Sequence, residues 1–337
     1  MARCQFLIFT ILCLFAGVFA NISHADTNFA ERKDVQQFID KMVNKHHFDR
    51  QALVNVFSSV KARPQVIKHI NAPLEKEPWH TYQMLFVNEW RIQHGVEFWN
   101  KYADVLNKAE KTYGVPASII VATIGIETKY GQKTGEYRVI DSLSNLGFSD
   151  SPRAPFFRKE LEEFLVLTKE QHLDPLHIMG SYAGAIGQPQ FMPSSYRYYA
   201  VNFSGTGKTD LMNNEVDVIG SIANYYSKHG WKMGKPVAQE VRIIGQRYDY
   251  LIKNNKLKQP LPVADLMKYG IVTQTPPEDI KEKVKIVELQ SRFKKEHWLS
   301  YRNFDVIKRY NTSDLYAMAV FQLSNYITAL RERLHNG

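Results

Sequence analysis

The stretch Pro116-Ala117-Ser118-Ile119-Ile120-Val121-Ala122-Thr123-Ile124-Gly125-Ile126-Glu127-Thr128-Lys129-Tyr130-Gly131 decides how this chain is read. Proline suits the first position of a helix, where its missing N–H costs nothing. The residues after it are apolar nearly all round, so the helix has no face to show to water and must be buried among other elements. Gly131 is a natural terminator. Glu127 sits near the C-terminal end of this helix. That end carries partial negative charge, and burial disfavours an ionised carboxyl, so both effects raise a carboxyl pKa. A carboxylic acid kept protonated near neutrality can give its proton to a leaving oxygen. The ordinary alternative is a glutamate facing solvent, or one paired with Lys129 or Lys133.

Downstream lies an uncharged, glycine-rich tract, Gly180-Ser181-Tyr182-Ala183-Gly184-Ala185-Ile186-Gly187-Gln188-Pro189-Gln190-Phe191-Met192-Pro193. Glycines let a ligand approach the backbone closely. Ser181, Tyr182, Gln188 and Gln190 offer hydrogen bonds without charge, and Phe191 offers an apolar face. Sugars need that mixture. A tight turn between helices explains the same residues equally well.

The rest of the chain reads mainly as helix. Asp49 can cap a short helix with Leu53, Val54 and Phe57 on one face. Pro64 and Pro73 punctuate the N-terminal part. Glu89–Tyr113 reads as one long amphipathic helix, with Ile92, Val96, Trp99 and Leu106 at helical spacing. Helices are also expected over 155–171, 216–229 and 314–334, the last with Asp314 near its cap. Residues 238–262 and 284–303 look mixed, and Val284-Lys285-Ile286-Val287-Glu288-Leu289 has strand character. The fold class is therefore α+β, mainly helical.

The chain has 337 residues, 44% hydrophobic and 23% charged, a globular balance that needs no disulfide or metal staple. Its first 25 residues stand apart. Arg3 gives a positive start, Phe6–Phe19 is apolar, and Ser23-His24-Ala25 ends on small residues. This is the pattern of a secretory signal peptide cut after Ala25, and the apolar run is short for a membrane span. Both cysteines, Cys4 and Cys13, fall inside it, which suits a mature chain in an oxidising compartment. Leu12 stands before Cys13, where bacterial lipoprotein signals put Gly or Ala, and Cys13 is mid-core. A soluble periplasmic protein is expected, with an outer-membrane lipoprotein the lesser alternative.

Cleavage removes only Arg3 from the charged set, lowering the net charge from +9 to +8. A basic protein favours acidic partners, here the anionic wall polymer or, loosely, a membrane surface. Secretion and the absence of dense Lys/Arg runs exclude a nucleic-acid binder.

Seven blocks in order carry a resemblance: Ile126–Gly131, Tyr137–Leu143, Phe156–Leu161, Gly180–Tyr196, Asp217–Tyr225, His229–Trp231 and Arg309–Val320. Across about Phe38 to Leu330 the chain resembles the membrane-bound lytic murein transglycosylase B family. The resemblance implies a lysozyme-like catalytic core and cleavage of the β-1,4 bond between N-acetylmuramic acid and N-acetylglucosamine in peptidoglycan strands, leaving 1,6-anhydro ends. It puts Glu127 at the catalytic glutamate and Ser181 near it. Tyr182, Gln190, Phe191, Tyr225, Asn311 and the aromatic Tyr310 and Tyr316 fall at substrate positions, and Arg153 on the peptide side. The implied organisation is a signal peptide over 1–25 and an N-terminal helical part over 26–115. The catalytic core spans 116–235, and a mixed part ending in a helix that returns to the groove spans 236–337. A monomer is expected.

The family carries an EF-hand-like loop, which here spans 202–213 in degenerate form. Asn202, Ser204 and Thr206 stand where calcium wants carboxylates, and Lys208 adds positive charge. No metal or other cofactor is therefore expected, and calcium is expected to bind weakly or not at all. Two other functions remain open on these residues. One is a muramidase using water, with Asp141 or Glu136 as second carboxylate, although Asp141 at a helix start reads as structural. The other is a wall-binding protein without activity, which would have no need of Glu127.

Overall fold

In the computed structural model, residues 28–70, 77–254, 256–257, 259–275 and 279–336 are described. The expected signal peptide and Pro73 lie outside these residues. The described residues of the N-terminal part form helices and no strand. Helix α1 (Lys33–His46) buries Val35, Phe38, Ile39 and Met42, one stripe at three- and four-residue spacing. Helix α2 (Arg50–Ser58) is capped as expected: the Asp49 carboxylate accepts the Ala52 N–H at 2.7 Å, and Leu53 and Phe57 point inward. Helices α3 (Pro64–Ile70) and α4 (Trp79–Phe86) follow.

The long helix expected over Glu89–Tyr113 is two. Helix α5 (Glu89–Lys101) stops at Tyr102, whose φ of −113° and ψ of 27° end one helix and begin α6 (Ala103–Tyr113). The two segments pack against different elements, α5 along the helices Ala117–Thr128 and Asp314–Asn336, α6 along the helix Glu215–Lys228. Val96 on α5 and Leu106 on α6 are both buried. The bend at Tyr102 lets each segment bury its own stripe, and the Tyr102 ring packs back on Phe98 at 4.7 Å.

Helix α7 (Ala117–Thr128) is the buried helix read from the sequence, with Ile120, Val121, Ala122 and Ile124 wholly inaccessible. It starts one residue later than expected. Pro116 is the cap, with an extended ψ of 138°. The Glu110 carboxylate accepts the freed Ala117 N–H at 2.9 Å.

Strand β1 (Tyr137–Arg138) leads into α8 (Val139–Gly147), then α9 (Ala154–Gln171). Strand β2 (Met179–Gly180) pairs antiparallel with β1 and opens the glycine-rich tract. Helices α10 (Pro193–Tyr199) and α11 (Glu215–Lys228) complete the core.

The mixed region contains more β-structure than the single strand expected. Strand β3 (Ala238–Ile243) is followed by helix α12 (Asp249–Lys253). Strands β4 (Leu261–Pro262), β5 (Ile271–Thr273), β6 (Lys283–Gln290) and β7 (Lys295–Ser300) then form with β3 one antiparallel sheet, in the order β4-β6-β7-β3-β5. Alternation along β6 serves two cores. Val284 and Ile286 join a small cluster with Val241, Leu251 and Leu299. Val287 and Leu289, out of phase by one, join the main core. Helix α13 (Arg302–Tyr310) follows the sheet, and α14 (Asp314–Asn336) returns to pack along α7 and α5. The architecture is α+β and mainly helical, as read from the sequence.

Candidate active site

The end of α7 is held from three sides. Lys129 and Tyr130 both take left-handed backbone, with φ of 51° and 57°, and turn the chain off the helix before Gly131. Thr128 Oγ1 donates to the Gln188 carbonyl at 2.9 Å and accepts the Gly131 N–H at 3.1 Å, joining the helix end to the glycine-rich tract. From α5, buried Arg91 donates Nε to the Gly125 carbonyl at 2.9 Å, a cation at the negative end of the helix dipole. Burial holds this guanidinium below its usual range. The Tyr130 hydroxyl donates to the Arg91 carbonyl at 2.6 Å. It lies so close to α7 that a Cβ on Gly125 would stand 2.5 Å from it, so only glycine fits there.

Glu127 is half-buried at this end. Its Oε1 accepts the Tyr316 hydroxyl at 2.5 Å, from the first turns of α14. Lys129, an alternative partner on the sequence, has its Nζ over the Trp90 ring, 5.5 Å from the centroid. Tyr316 is stacked on Tyr310, with centroids 6.3 Å apart and planes within 13°. Tyr310 meets Tyr226 at 5.5 Å and Tyr225 at 4.9 Å, so four phenols wall the carboxyl. Burial first, and the Glu127 carboxyl second, hold the Tyr310 and Tyr316 hydroxyls far above the ordinary tyrosine range. They stay protonated and act as donors. Tyr310 donates to the Pro189 carbonyl and Tyr225 to the Arg309 carbonyl, each at 2.6 Å. Tyr226 shares a hydrogen bond with Thr123 at 2.9 Å. Tyr316 alone among the four is seen to direct its proton at Glu127.

The glycine-rich tract forms the adjoining surface. Gly184 and Gly187 have φ of 84° and 70°, and Ile186 bridges to both Gly180 and Phe191. Ser181 Oγ accepts the Ala183 and Ala185 amides at 3.2 and 3.0 Å, which leaves its proton to donate. Gln190, itself at φ 51°, donates its amide to the Gly187 and Thr134 carbonyls at 2.8 and 2.9 Å. Ser181, Tyr182 and Gln190 line one cleft of about 470 Å³, whose opposite wall is residues 132–137. A second cleft of about 500 Å³, between Trp231 and Tyr301, includes none of the candidate site residues read from the sequence.

The other expected site residues fall in different places. Phe191 and Tyr225 are buried, at 2% and 7% exposure. Phe191 packs under Tyr225 and Tyr310 at 5.5 and 5.7 Å, so it backs the wall and does not present a face to the groove. Asn311 ends α13, and its Oδ1 accepts the Ser313 N–H at 3.1 Å. Arg153 is exposed at the start of α9, with its guanidinium over Phe156 and Phe157. The sequence reading had not placed Lys133 or Thr134 in the groove. Their signal was present, in the Gly131 and Gly135 that bracket them.

Asp141 is inaccessible and fully engaged. It takes Arg138 at 2.7 and 3.0 Å, Arg63 at 3.3 Å and the Lys61 amide at 3.0 Å. It ties α8 to the chain before α3. Glu136 is exposed on the rim of the 470 Å³ cleft.

The loop 202–213 spends its oxygens internally. Asn202 Oδ1 accepts Ser204 Oγ and the Thr206 amide at 3.2 and 3.0 Å. Asp210 accepts the Met212 and Asn213 amides, and buried Asp217 those of Ser204 and Asp210. Among the described residues no group of three or more His, Cys, Asp or Glu is arranged to hold a metal.

Residues 30–325 match the family described as the transglycosylase SLT domain. The chain is 40% identical over 321 residues to the membrane-bound lytic murein transglycosylase B of Escherichia coli strain K12, covering 92% of this chain and 87% of that one. The soluble lytic transglycosylase SltB1 of Pseudomonas aeruginosa superposes with a TM-score of 0.82 at 41% identity, over 89% of this chain and 99% of that chain. The Escherichia coli lytic transglycosylase Slt35, in complex with calcium, superposes with a TM-score of 0.82 at 40% identity, over 90% of this chain and 95% of that chain.

Proposed function

This chain belongs to the SLT-domain transglycosylase family, and from that membership we propose that Glu127 is its single catalytic carboxyl, acting first as acid and then as base. The enzyme is a lytic transglycosylase that cleaves peptidoglycan. The observation that supports the assignment is the 2.5 Å contact from Tyr316 to Glu127 inside a wall of protonated phenols.

Glu127 protonates the oxygen between N-acetylmuramic acid and N-acetylglucosamine. The bond breaks through an oxocarbenium-like state, assisted by the substrate's own acetamido group. Glu127 is then a carboxylate, and the Tyr316 hydroxyl stabilises it by a charge-assisted hydrogen bond. The carboxylate takes the proton of the C6 hydroxyl, whose oxygen attacks C1 of the same sugar and closes the 1,6-anhydro ring. The attack is intramolecular, so it gains from proximity and uses no water. A hydrolase of the common kind needs a second carboxylate, and Asp141 is occupied by two arginines and an amide.

Mass spectrometry of products from purified peptidoglycan tests this. Anhydro muropeptides, about 18 Da lighter than hydrolysed ones, are the expected outcome, and Glu127→Gln should abolish their release with the fold intact. Reducing ends would instead support the muramidase reading. Release of nothing by the folded wild type would support a wall-binding protein.

Calcium binding is weak or absent, because the loop 202–213 already spends its oxygens on its own amides. Calorimetric titration should show no site tighter than about 1 mM, and micromolar affinity would overturn the reading. The enzyme works in the periplasm as a monomer. No helix among the described residues is long and apolar enough to cross a membrane. Fractionation should place it with periplasmic proteins, and light scattering should return the mass of one chain; a membrane pellet or a doubled mass would count against this.

A further inference from the structure

We infer that the end of the five-stranded sheet carrying the β6–β7 turn is a contact surface for an anionic phospholipid layer. The inference uses the periplasmic placement proposed above only to say that such a layer is within reach.

Three connections meet at this end. The β6–β7 hairpin turns over residues 291–294, where the Ser291 amide and hydroxyl both donate to the Lys294 carbonyl, at 3.0 and 2.8 Å. Gln290 and Lys295 are the last pair of the ladder beneath it. On the other side of β7, Val241 of β3 stands opposite His297, and three residues further in this register bring Ile244 level with Lys294. The third connection joins the 3-10 helix Val263–Tyr269 to β5, and there the Gly270 carbonyl accepts the Ile244 amide at 2.8 Å. Gly270 has φ 73°, and a Cβ on it would stand 2.1 Å from the Ile244 carbonyl oxygen, so the two loops are fitted closely to each other. Strand β7 runs from this end toward α13, so the three connections lie at the opposite end of the sheet from the entry into α13.

Each connection exposes an apolar side chain. Phe293, at the corner of the hairpin, is 89% exposed, more than any other large apolar side chain among the described residues. Ile244 and Met267 are 55% and 64% exposed. Tyr250 is half-exposed and stacks on Tyr269, beside Gly270, with planes within 13°. Positive charge surrounds these tips. Over 242–250, 267–270 and 291–295 the charged residues are Arg242, Arg247, Lys268, Arg292, Lys294 and Lys295 against Asp249 alone. All are exposed. The three lysines meet Asp265, Glu240 and Glu288 at 2.5, 3.9 and 3.3 Å. The three arginines have no carboxylate partner among the described residues. Arg292 lies over the Phe293 ring, 5.3 Å from its centroid.

Apolar tips ringed by unpaired guanidinium groups suit a partner with two phases. A dissolved polyanion would take the arginines and leave Phe293 in water. A bilayer surface takes both, with the tips at the acyl boundary and the cations among the phosphates. Insertion of a few side chains gives shallow, reversible binding, so washing returns the protein to the periplasmic fraction.

Flotation with vesicles tests the surface, using the chain from Asp26 onward so that the apolar leader contributes nothing. Vesicles of phosphatidylcholine are compared with vesicles in which about one third is phosphatidylglycerol. Wild type should bind the anionic vesicles about tenfold or more tightly than the neutral ones, and added salt should weaken that binding. Phe293→Ser should lower the affinity about fivefold, and each of Arg242→Gln, Arg247→Gln and Arg292→Gln about three- to fivefold. Phe293→Trp should bind like wild type and lose emission on brominated lipid. All four positions are exposed and away from Glu127, so fold and cleavage of soluble glycan strands should be unchanged. Equal binding to both kinds of vesicle, or binding that the substitutions leave untouched, would overturn the surface. Substitutions that weaken binding to purified wall sacculi but not to vesicles would also overturn it and assign these residues to the wall polymer. Neither result would touch the reading of Glu127.

Discussion

Tyr316 donates its proton to Glu127, the carboxyl proposed to change charge twice in a turnover. A donor to a carboxylate favours the charged form. Replacing it with phenylalanine should therefore shift the balance toward the acid and destabilise the carboxylate formed between the two steps. Tyr316→Phe is expected to lower kcat about tenfold and move the alkaline limb of the pH–rate profile to higher pH. A profile identical to wild type would reduce Tyr316 to packing. The sequence pointed to this residue only through family resemblance. Glu127 and Tyr316 are 189 positions apart, and no periodicity links them. Glu127 itself was legible because an apolar helix ending in a carboxyl is a local contradiction. Phe191 and Tyr225 were legible as aromatic but not as buried, because burial depends on Tyr310, which arrives from α13.

At the level of elements, the fold was legible wherever a stripe or cap was local. The Asp49 cap, the buried α7 and the C-terminal helix all have their signals within a few residues. The break at Tyr102 was not, because it is imposed by what α5 and α6 each pack against. The tie between α1 and α9 was equally hidden. Glu162 on α9 is bound by Lys41, Lys45 and His46 from α1. Burial alone would raise its pKa, but the hydrogen bonds from these three bring it from 4.5 down to about 2. A carboxyl with a lowered folded value contributes stability above its unfolded value and loses it as the pH falls toward the folded one. Glu162→Gln should thus destabilise the protein at pH 7 by on the order of 1–2 kcal/mol, the exposed lysines limiting the effect. Urea denaturation should show the difference shrinking between pH 4.5 and 2. A constant difference across that range would mean that the ion cluster contributes no pH-dependent stability.

For the whole molecule, the α+β class followed from composition and pattern, while the five-stranded sheet did not. Only β6 was read from the sequence; β4 and β5 are two and three residues long, too short to show a period, and β3 and β7 mix charged with apolar residues. The sheet also occupies the chain between α11 and α13, so it separates most of the site from the helix that completes it. That separation fixes an order of events during synthesis. Glu127, the glycine-rich tract and Tyr225 and Tyr226 are all made first; the donor to Glu127 comes with α14, after the sheet. Until α14 docks, Glu127 stands without the hydroxyl that stabilises its charged form. A fragment ending before Asp314 carries Glu127 without its partner, and should lose at least as much activity as Tyr316→Phe does.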